Sequence, residues 1–385
     1  MFRCREAAAT LTSSTMNLLR RTLLGWAAGL PALAAMPAVA RAETFDEALD
    51  AAFRVGSPAL AGGVLTRDGL IWSGARGVRR AGSDDAVTSG DRWHLGSNTK
   101  AMTAAVFARL VEQGRTHWGL TLREAFPDLT IDPVWREVPV EALMRHRAGL
   151  TDEPVLGPAW LATARADLRP APAQRADLAA AALARPPAGR PGAFAYANLN
   201  YVVAGAVIEA ITGGSWEDAM RAEVFQPLGL SSAGFGAPSD PNAWGHRQIG
   251  GQSVPMNPAS PGADNPAALG PAGTAHMTVA DYARWAAAIC GEGDWLSDDS
   301  LRRLNTTTET DPAYSLGWMV QPAPPFGAFA GAGETLAHEG SNTMWHTIAI
   351  VAPASGLAVF AFANDGAKGP AACRMLAQRL IALTG

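Results

Sequence analysis

Lysine is almost missing from this chain. Of 31 basic residues only Lys100 and Lys368 are lysines, leaving 29 arginines. Arginine therefore serves wherever a plain positive charge suffices. It keeps its proton in proteins, whereas a partly buried lysine can lose one and act as a base, which makes the scarce lysines candidates for chemistry. Metal patterns are missing too: there is no Cys/His pair at zinc spacing and no His-Glu-x-x-His, so neither a metal nor another cofactor is expected. The pentapeptide Gly-x-Ser-x-Gly does not occur, which speaks against the nucleophile elbow of an α/β-hydrolase. No internal repeat is found.

Charge is sparse as well, at 17 % against 48 % hydrophobic residues, the balance of a globular chain with a sizeable core. Residues 1–42 differ from the rest. Arg20-Arg21 precede an apolar run from Thr22 to Ala40, and Ala40-Arg41-Ala42 has the small-x-small form of a cleavage site. Pro31 and Pro37 interrupt the run, so a secretory signal peptide is expected rather than a membrane span, with a loose twin-arginine match. Met16 is an alternative start. The expected product is an exported, periplasmic or secreted domain over 43–385. That part holds 26 basic and 34 acidic residues, a net charge of −8, which does not invite nucleic acid. Only Cys290 and Cys373 lie in it. Cys373 shares a helical stripe with Leu376, Leu380 and Leu383 and reads first as core, while a disulfide with Cys290 stays open. Oligomeric state is left open.

Taken in order, the pattern gives a helix over Glu43 to Phe53, then strand-like Ala59 to Thr66 and Leu70 to Val78 about the turn Arg67-Asp68-Gly69. A loop over Trp93 to Lys100 runs into an amphipathic helix with Val106, Leu110 and Val111 on one stripe and Gly114 as its stop. From about 119 to 270 the texture becomes helical, with helices expected over Val138 to Arg147 and Leu199 to Thr212. Residues 237–271, rich in proline and glycine, look too irregular for a regular element. A capping box at Thr278 to Asp281 opens another helix. Strands follow at Leu316 to Val320, Thr335 to Gly340, Thr347 to Val351 and Leu357 to Ala363, and a closing helix starts near Pro370. The expected fold is α/β (α+β): an antiparallel sheet from both chain ends (about 43–118 and 271–385), flanked by terminal helices, with a mainly helical insert over about 119–270.

Three short stretches look chemical. Ser97 and Lys100 stand three apart at a helix start, so their side chains leave the same face. A serine needs a neighbouring base to become a nucleophile, and free N–H groups at a helix start suit a developing oxyanion. Tyr196 and Asn198 put a phenol and an amide two residues apart before a helix, where core packing is the alternative for the tyrosine. In the late strand, His338 and Gly340 face one side and Glu339 the other. A structural histidine is the plainer reading there, and Gly340 leaves room for a ligand to approach.

Ser97-x-x-Lys100, Tyr196-x-Asn198 and His338-x-Gly340, in this order and at these wide intervals, resemble the serine β-lactamase and penicillin-binding-protein superfamily, closest to its class C branch with its DD-peptidase and esterase relatives. Leu143 to Leu150, Pro227 to Leu230, Tyr314 to Trp318 and Phe362 to Asn364 also look like family signposts, so the likeness covers nearly all of 43–385. The resemblance implies a β-lactamase/transpeptidase-like fold. It makes Ser97 the nucleophile that forms an acyl-enzyme, and Lys100 and Tyr196 the groups sharing its proton, with either as the base. Asn198 would position the substrate amide or Lys100, and backbone N–H groups of Ser97 and Ser341 would form the oxyanion hole. His338 departs from the lysine of the class C β-lactamases. A largely neutral histidine is a poor receptor for a carboxylate, which leans towards an esterase or amidase on small acyl substrates. A D-amino-acid-specific peptidase, a class C-like β-lactamase and a non-catalytic penicilloyl-binding module are the alternatives.

Overall fold

Thr44 starts the first helix. Its hydroxyl accepts the Glu47 N–H while the Glu47 carboxylate reaches back to the Thr44 N–H, a reciprocal cap. In the computed structural model the described residues are 43–384, apart from 308, 310 and 311. The expected signal segment, 1–42, lies outside them. Helix α1 (Phe45–Phe53) leads to β1 (Ala59–Thr66) and β2 (Gly69–Gly77). Strand β3 (Trp93–His94) enters a 3-10 turn at Gly96–Asn98, and α2 (Thr99–Glu112) follows. Helix α3 (Val140–Met144) is shorter than the expected 138–147, bounded by Pro139 and by His146 at φ 58°.

The helical segments α4 (Ala171–Leu183) and α5 (Asn198–Thr212) follow, the latter ending on left-handed Gly213. Arg175 of α4 is fully buried and ties them together. Its guanidinium donates to Glu209 Oε1 at 2.6 Å, to Glu217 Oε2 at 2.7 Å and to the Ala267 carbonyl at 3.3 Å. After β4 (Gly234–Phe235), the stretch expected to be wholly irregular contains a hairpin, β5 (His246–Ile249) and β6 (Gln252–Pro255). Gly250 and Gly251 turn it, both at positive φ. Two mostly polar four-residue strands are too short for periodicity to register.

Strand β7 (Ala275–Met277) joins β3 and β4 in a small sheet. Thr278 caps α6 (Val279–Ile289) through the Asp281 N–H, but the box is not reciprocal, because the Asp281 carboxylate accepts from Ser232 instead. Helix α7 (Asp298–Asn305), β8 (Met319–Pro322), β9 (Glu334–Ser341), β10 (His346–Ala352), β11 (Leu357–Ala363) and α8 (Gly369–Leu383) complete the chain.

The main sheet is antiparallel with strand order β2-β1-β11-β10-β9-β8, so its middle joins the two chain ends. The fold is the expected α+β arrangement. Strand β11 shows why its sequence is apolar throughout: Leu357, Val359, Ala361 and Ala363 enter a core shared with α1 and α8, while Ala358, Phe360 and Phe362 enter the larger core with α2, α5 and α6. Both faces are covered, so no polar alternation survives. Cys290 and Cys373 are free thiols, with Cys373 buried under the sheet as its stripe implied. Among the described residues no helix is long and apolar enough to cross a membrane.

Candidate active site

The Ser97 turn is wedged between two strands. Its Leu95 N–H donates to the Ala275 carbonyl of β7 at 2.8 Å, and the Thr99 hydroxyl bonds the Gly96 carbonyl at 2.7 Å while accepting from the Ala275 N–H. On the other side β9 comes so close that a Cβ on Gly340 would lie 2.0 Å from the Leu95 carbonyl oxygen and 2.8 Å from the Ser97 nitrogen. The space Gly340 leaves is thus taken by the backbone of the Ser97 turn. Ser97 precedes α2 proper, in the 3-10 turn, rather than sitting in its first turn.

The three-residue spacing brings the Lys100 amine to the Ser97 hydroxyl. Lys100 is 0 % exposed, and its Nζ donates to Ser97 Oγ at 3.0 Å, Asn198 Oδ1 at 2.9 Å and the Ala272 carbonyl at 2.7 Å. The same nitrogen lies 5.0 Å from the Tyr196 ring centroid and 5.6 Å from that of Tyr201. Burial pulls the amine down to about 7, against a smaller upward pull from the Asp152 charge. Tyr196 is driven the other way: burial raises its phenol above the usual 10, and a hydrogen bond with Ser97 only partly offsets this. Three of the expected residues, Ser97, Lys100 and Tyr196, therefore meet with Asn198 at one point.

His338 is 2 % exposed. Its Nδ1 lies 2.7 Å from the Glu339 carbonyl, which can only accept, so Nδ1 carries the proton and Nε2 accepts the Tyr314 hydroxyl at 3.2 Å. Burial first, and the Lys100 charge second, lower its pKa to about 3. It is a neutral, doubly bonded ring, with Glu339 turned away to Arg374 at 2.7 Å. The Ser341 hydroxyl donates to the Trp345 carbonyl at 2.7 Å, closing the turn between β9 and β10.

Comparison with known proteins fits this geometry. The family model described as Beta-lactamase matches residues 21–384. The chain belongs to the beta-lactamase family. It is 28 % identical over 300 residues to the unguisins hydrolase of Aspergillus campestris, a match covering 72 % of this chain and 53 % of that relative, so the chain spans about half its length. Among solved structures, a D-stereospecific amidohydrolase from Streptomyces is 25 % identical at TM-score 0.67, over 86 % of this chain and 96 % of its own. The octameric penicillin-binding protein homologue from Pyrococcus abyssi superposes at TM-score 0.72 with 20 % identity, over 88 % of this chain and 76 % of its own.

Around the beta-lactamase-family motifs stand groups to which the sequence gave no role. Asp152 is buried; its Oδ1 accepts the Leu199 N–H at 3.0 Å, capping the helix that presents Asn198. His146 packs at a tilt 4.4 Å from Tyr196 and 5.0 Å from Tyr314, centroid to centroid, and its Nδ1 accepts from the Ala197 N–H and the Asn200 amide. Tyr282 donates to Asn98 Oδ1 at 3.0 Å. His94 reaches both ways: Nδ1 accepts the Gly96 N–H at 3.1 Å, and Nε2 lies 2.9 Å from Asp264 Oδ1. His146 and Tyr314 fall within the quoted signposts. Asp152, His94 and Asp264 offered no signal beyond being polar, because only the fold brings them to the site.

Proposed function

We propose that this protein is a serine hydrolase that works through an acyl-enzyme on Ser97, with small amides or esters as substrates. The observation that carries the reading is the contact between Ser97 Oγ and a fully buried Lys100 amine whose pKa falls to about 7. The neutral amine takes the Ser97 proton as Oγ bonds to the substrate carbonyl carbon. Tyr196, held in its protonated form by burial, passes its proton to the leaving group as the carbon–leaving-group bond breaks, and is refilled from Lys100. This order of basicity favours Lys100 over Tyr196 as the first base. Backbone N–H groups of Ser97 and Ser341 are the oxyanion donors in this reading. Water then attacks the acyl-enzyme by the reverse proton path.

His338 supports amide or ester hydrolysis over efficient β-lactam hydrolysis, since a neutral buried ring supplies no cation. The Streptomyces amidohydrolase, named for D-stereospecificity, favours a D-configured amide as a second reading of the substrate. The Arg20-Arg21 pair, the apolar run and Ala40-Arg41-Ala42 support export.

The test is hydrolysis of p-nitrophenyl acetate and of D- and L-alanine p-nitroanilide, with a fluorescent penicillin as a label, each beside Ser97→Ala. Turnover that disappears in the variant supports the acyl-enzyme. Stable penicillin labelling at Ser97 with no turnover moves the reading to a binding module or a slow peptidase, and rapid penicillin turnover moves it to a β-lactamase. Equal activity in parent and variant rejects Ser97.

A further inference from the structure

The three motifs provide no free cation, since Lys100 already donates to three acceptors and His338 is neutral. Two arginines outside them are placed differently. Arg165, just past the helix Pro158–Ala164, donates from Nε to the Asp264 carbonyl at 2.9 Å. Arg247, on β5, donates from Nη2 to the Gly262 carbonyl at 3.4 Å, and the same nitrogen lies 3.9 Å from Met344 Sδ. Both guanidinium groups thus converge on one four-residue turn, 261–264, each spending only a single nitrogen on it.

Most arginines here face acids: Arg79, Arg145, Arg169, Arg175 and Arg374 all have carboxylate partners. Among the described residues neither Arg165 nor Arg247 has one. Asp264 in that turn engages His94 Nε2 and the Asn342 amide through Oδ1, at 2.9 and 2.8 Å, while its buried Oδ2 makes no hydrogen bond among the described residues and forms no ion pair with either arginine. Both arginines are partly buried. Burial and then repulsion from Arg247 lower the pKa of Arg165, against a weaker pull from Asp264. Holding two like charges together in partly dry surroundings is unfavourable unless an anion joins them.

Hydrogen bonds also tie the turn to the segment that carries Ser97. Asp264 touches His94, which holds Gly96, and Asn342 directly follows Ser341. The Asn265 amide donates to the Gly273 carbonyl at 2.8 Å, and a Cβ on Gly273 would sit 3.3 Å from Gly96. Resting on the Ser97 reading, we infer that Arg165 and Arg247 form an anion subsite of the same cleft, and that the substrate carries a carboxylate. The planar fork of arginine matches a carboxylate through paired hydrogen bonds.

The experiment compares kcat/KM for mono-p-nitrophenyl glutarate with that for the neutral p-nitrophenyl valerate, and 3-acetoxybenzoate with phenyl acetate, in the full chain. The first pair puts the carboxylate on the acyl side and the second on the leaving group. In at least one pair, Arg165→Gln and Arg247→Gln each lower the acidic-to-neutral ratio about tenfold through KM. Arg247→Lys restores part of it, and added salt erodes it in the parent alone. A ratio unchanged in both pairs, or equal losses on acidic and neutral esters, overturns the subsite. If the parent cleaves no ester, the Ser97 reading falls, and glutarate binding by calorimetry judges the arginines separately. Binding weakened about tenfold in Arg165→Gln/Arg247→Gln upholds the subsite; no binding by the parent, or equal binding by both, rejects it.

Discussion

Asn198 Oδ1 and Lys100 Nζ are 2.9 Å apart, so the second motif holds the lysine of the first. The amide satisfies one N–H of the amine without adding charge, which lets burial keep the pKa near 7. A carboxylate there would hold the proton on. Asn198→Asp is therefore expected to move the rising limb of the kcat/KM–pH profile upward by about one unit or more. An unmoved limb would show that Lys100 is not the group titrating.

In the parent that limb is expected to rise through about 7, as Lys100 loses its proton. Lys100→Arg keeps a charge but no base, and a loss of about 10²–10⁴-fold in kcat is expected. Stability carries the same signature. Between about 7 and 10.5 the unfolded lysine holds a proton that the folded one has released. Parent stability thus rises with pH across that window relative to Lys100→Met, measured by urea unfolding. A flat difference would mean that Lys100 is not depressed.

His338 gives the acid-side counterpart. Its pKa falls from 6.5 to about 3 on folding, so the unfolded chain binds the extra proton in that interval and stability drops as pH falls through it. Glu339, lowered to about 2 by His346 and Arg374 despite its burial, acts in the same direction below 4.5. Urea midpoints for His338→Gln, taken from pH 7 to pH 4, should fall less steeply than those of the parent. A parallel fall would remove His338 from the explanation.

Gly340→Ala tests the packing of β9 on the nucleophile turn. The added methyl meets the Leu95 carbonyl and the Ser97 nitrogen. The strand or the turn must shift, at an expected cost of about 1–3 kcal/mol. Displacing Ser97 by about 1 Å is expected to lower kcat by about 100-fold. Wild-type kcat in a folded Gly340→Ala protein would disprove the close fit.

Arg175→Met leaves the Glu209 and Glu217 carboxylates facing a buried thioether. A loss of about 3–5 kcal/mol is expected, read as a lower urea midpoint. A change under about 1 kcal/mol would mean that the acids re-solvate without cost.

The sequence was most legible where composition was most biased. With two lysines in the chain, one three residues after a serine was already suspect, and Lys100 is the buried partner of Ser97. The chain also has only four tyrosines. Tyr196, Tyr201 and Tyr314 ring His146, while Tyr282 bonds the residue after Ser97. That scarcity carries the same kind of information as the lysine count. Strand positions were readable because apolar runs such as Leu357 to Ala363 are continuous. The bare Gly340 suggests an opening for a ligand, but the approaching backbone belongs to the protein itself. Asp152, His94 and Asp264 stayed hidden because each acts across the fold, as Asp152 does on Leu199, 47 residues away. Local spacing carries no trace of such contacts.

The pairing of β1 with β11, sealed where the Ala59 N–H meets Asn364 Oδ1 across 305 residues, makes the order of synthesis matter. Ser97 and Lys100 leave the ribosome before the strand that shapes their turn and before the strands that hold it. A chain ending before β9 is therefore no weakened hydrolase. It has a serine and a lysine but no site, so activity is expected only once β9, β10 and β11 are in place. Closing so distant a contact is also slow, which leaves an interval in which the reactive pair exists in sequence but not yet in space.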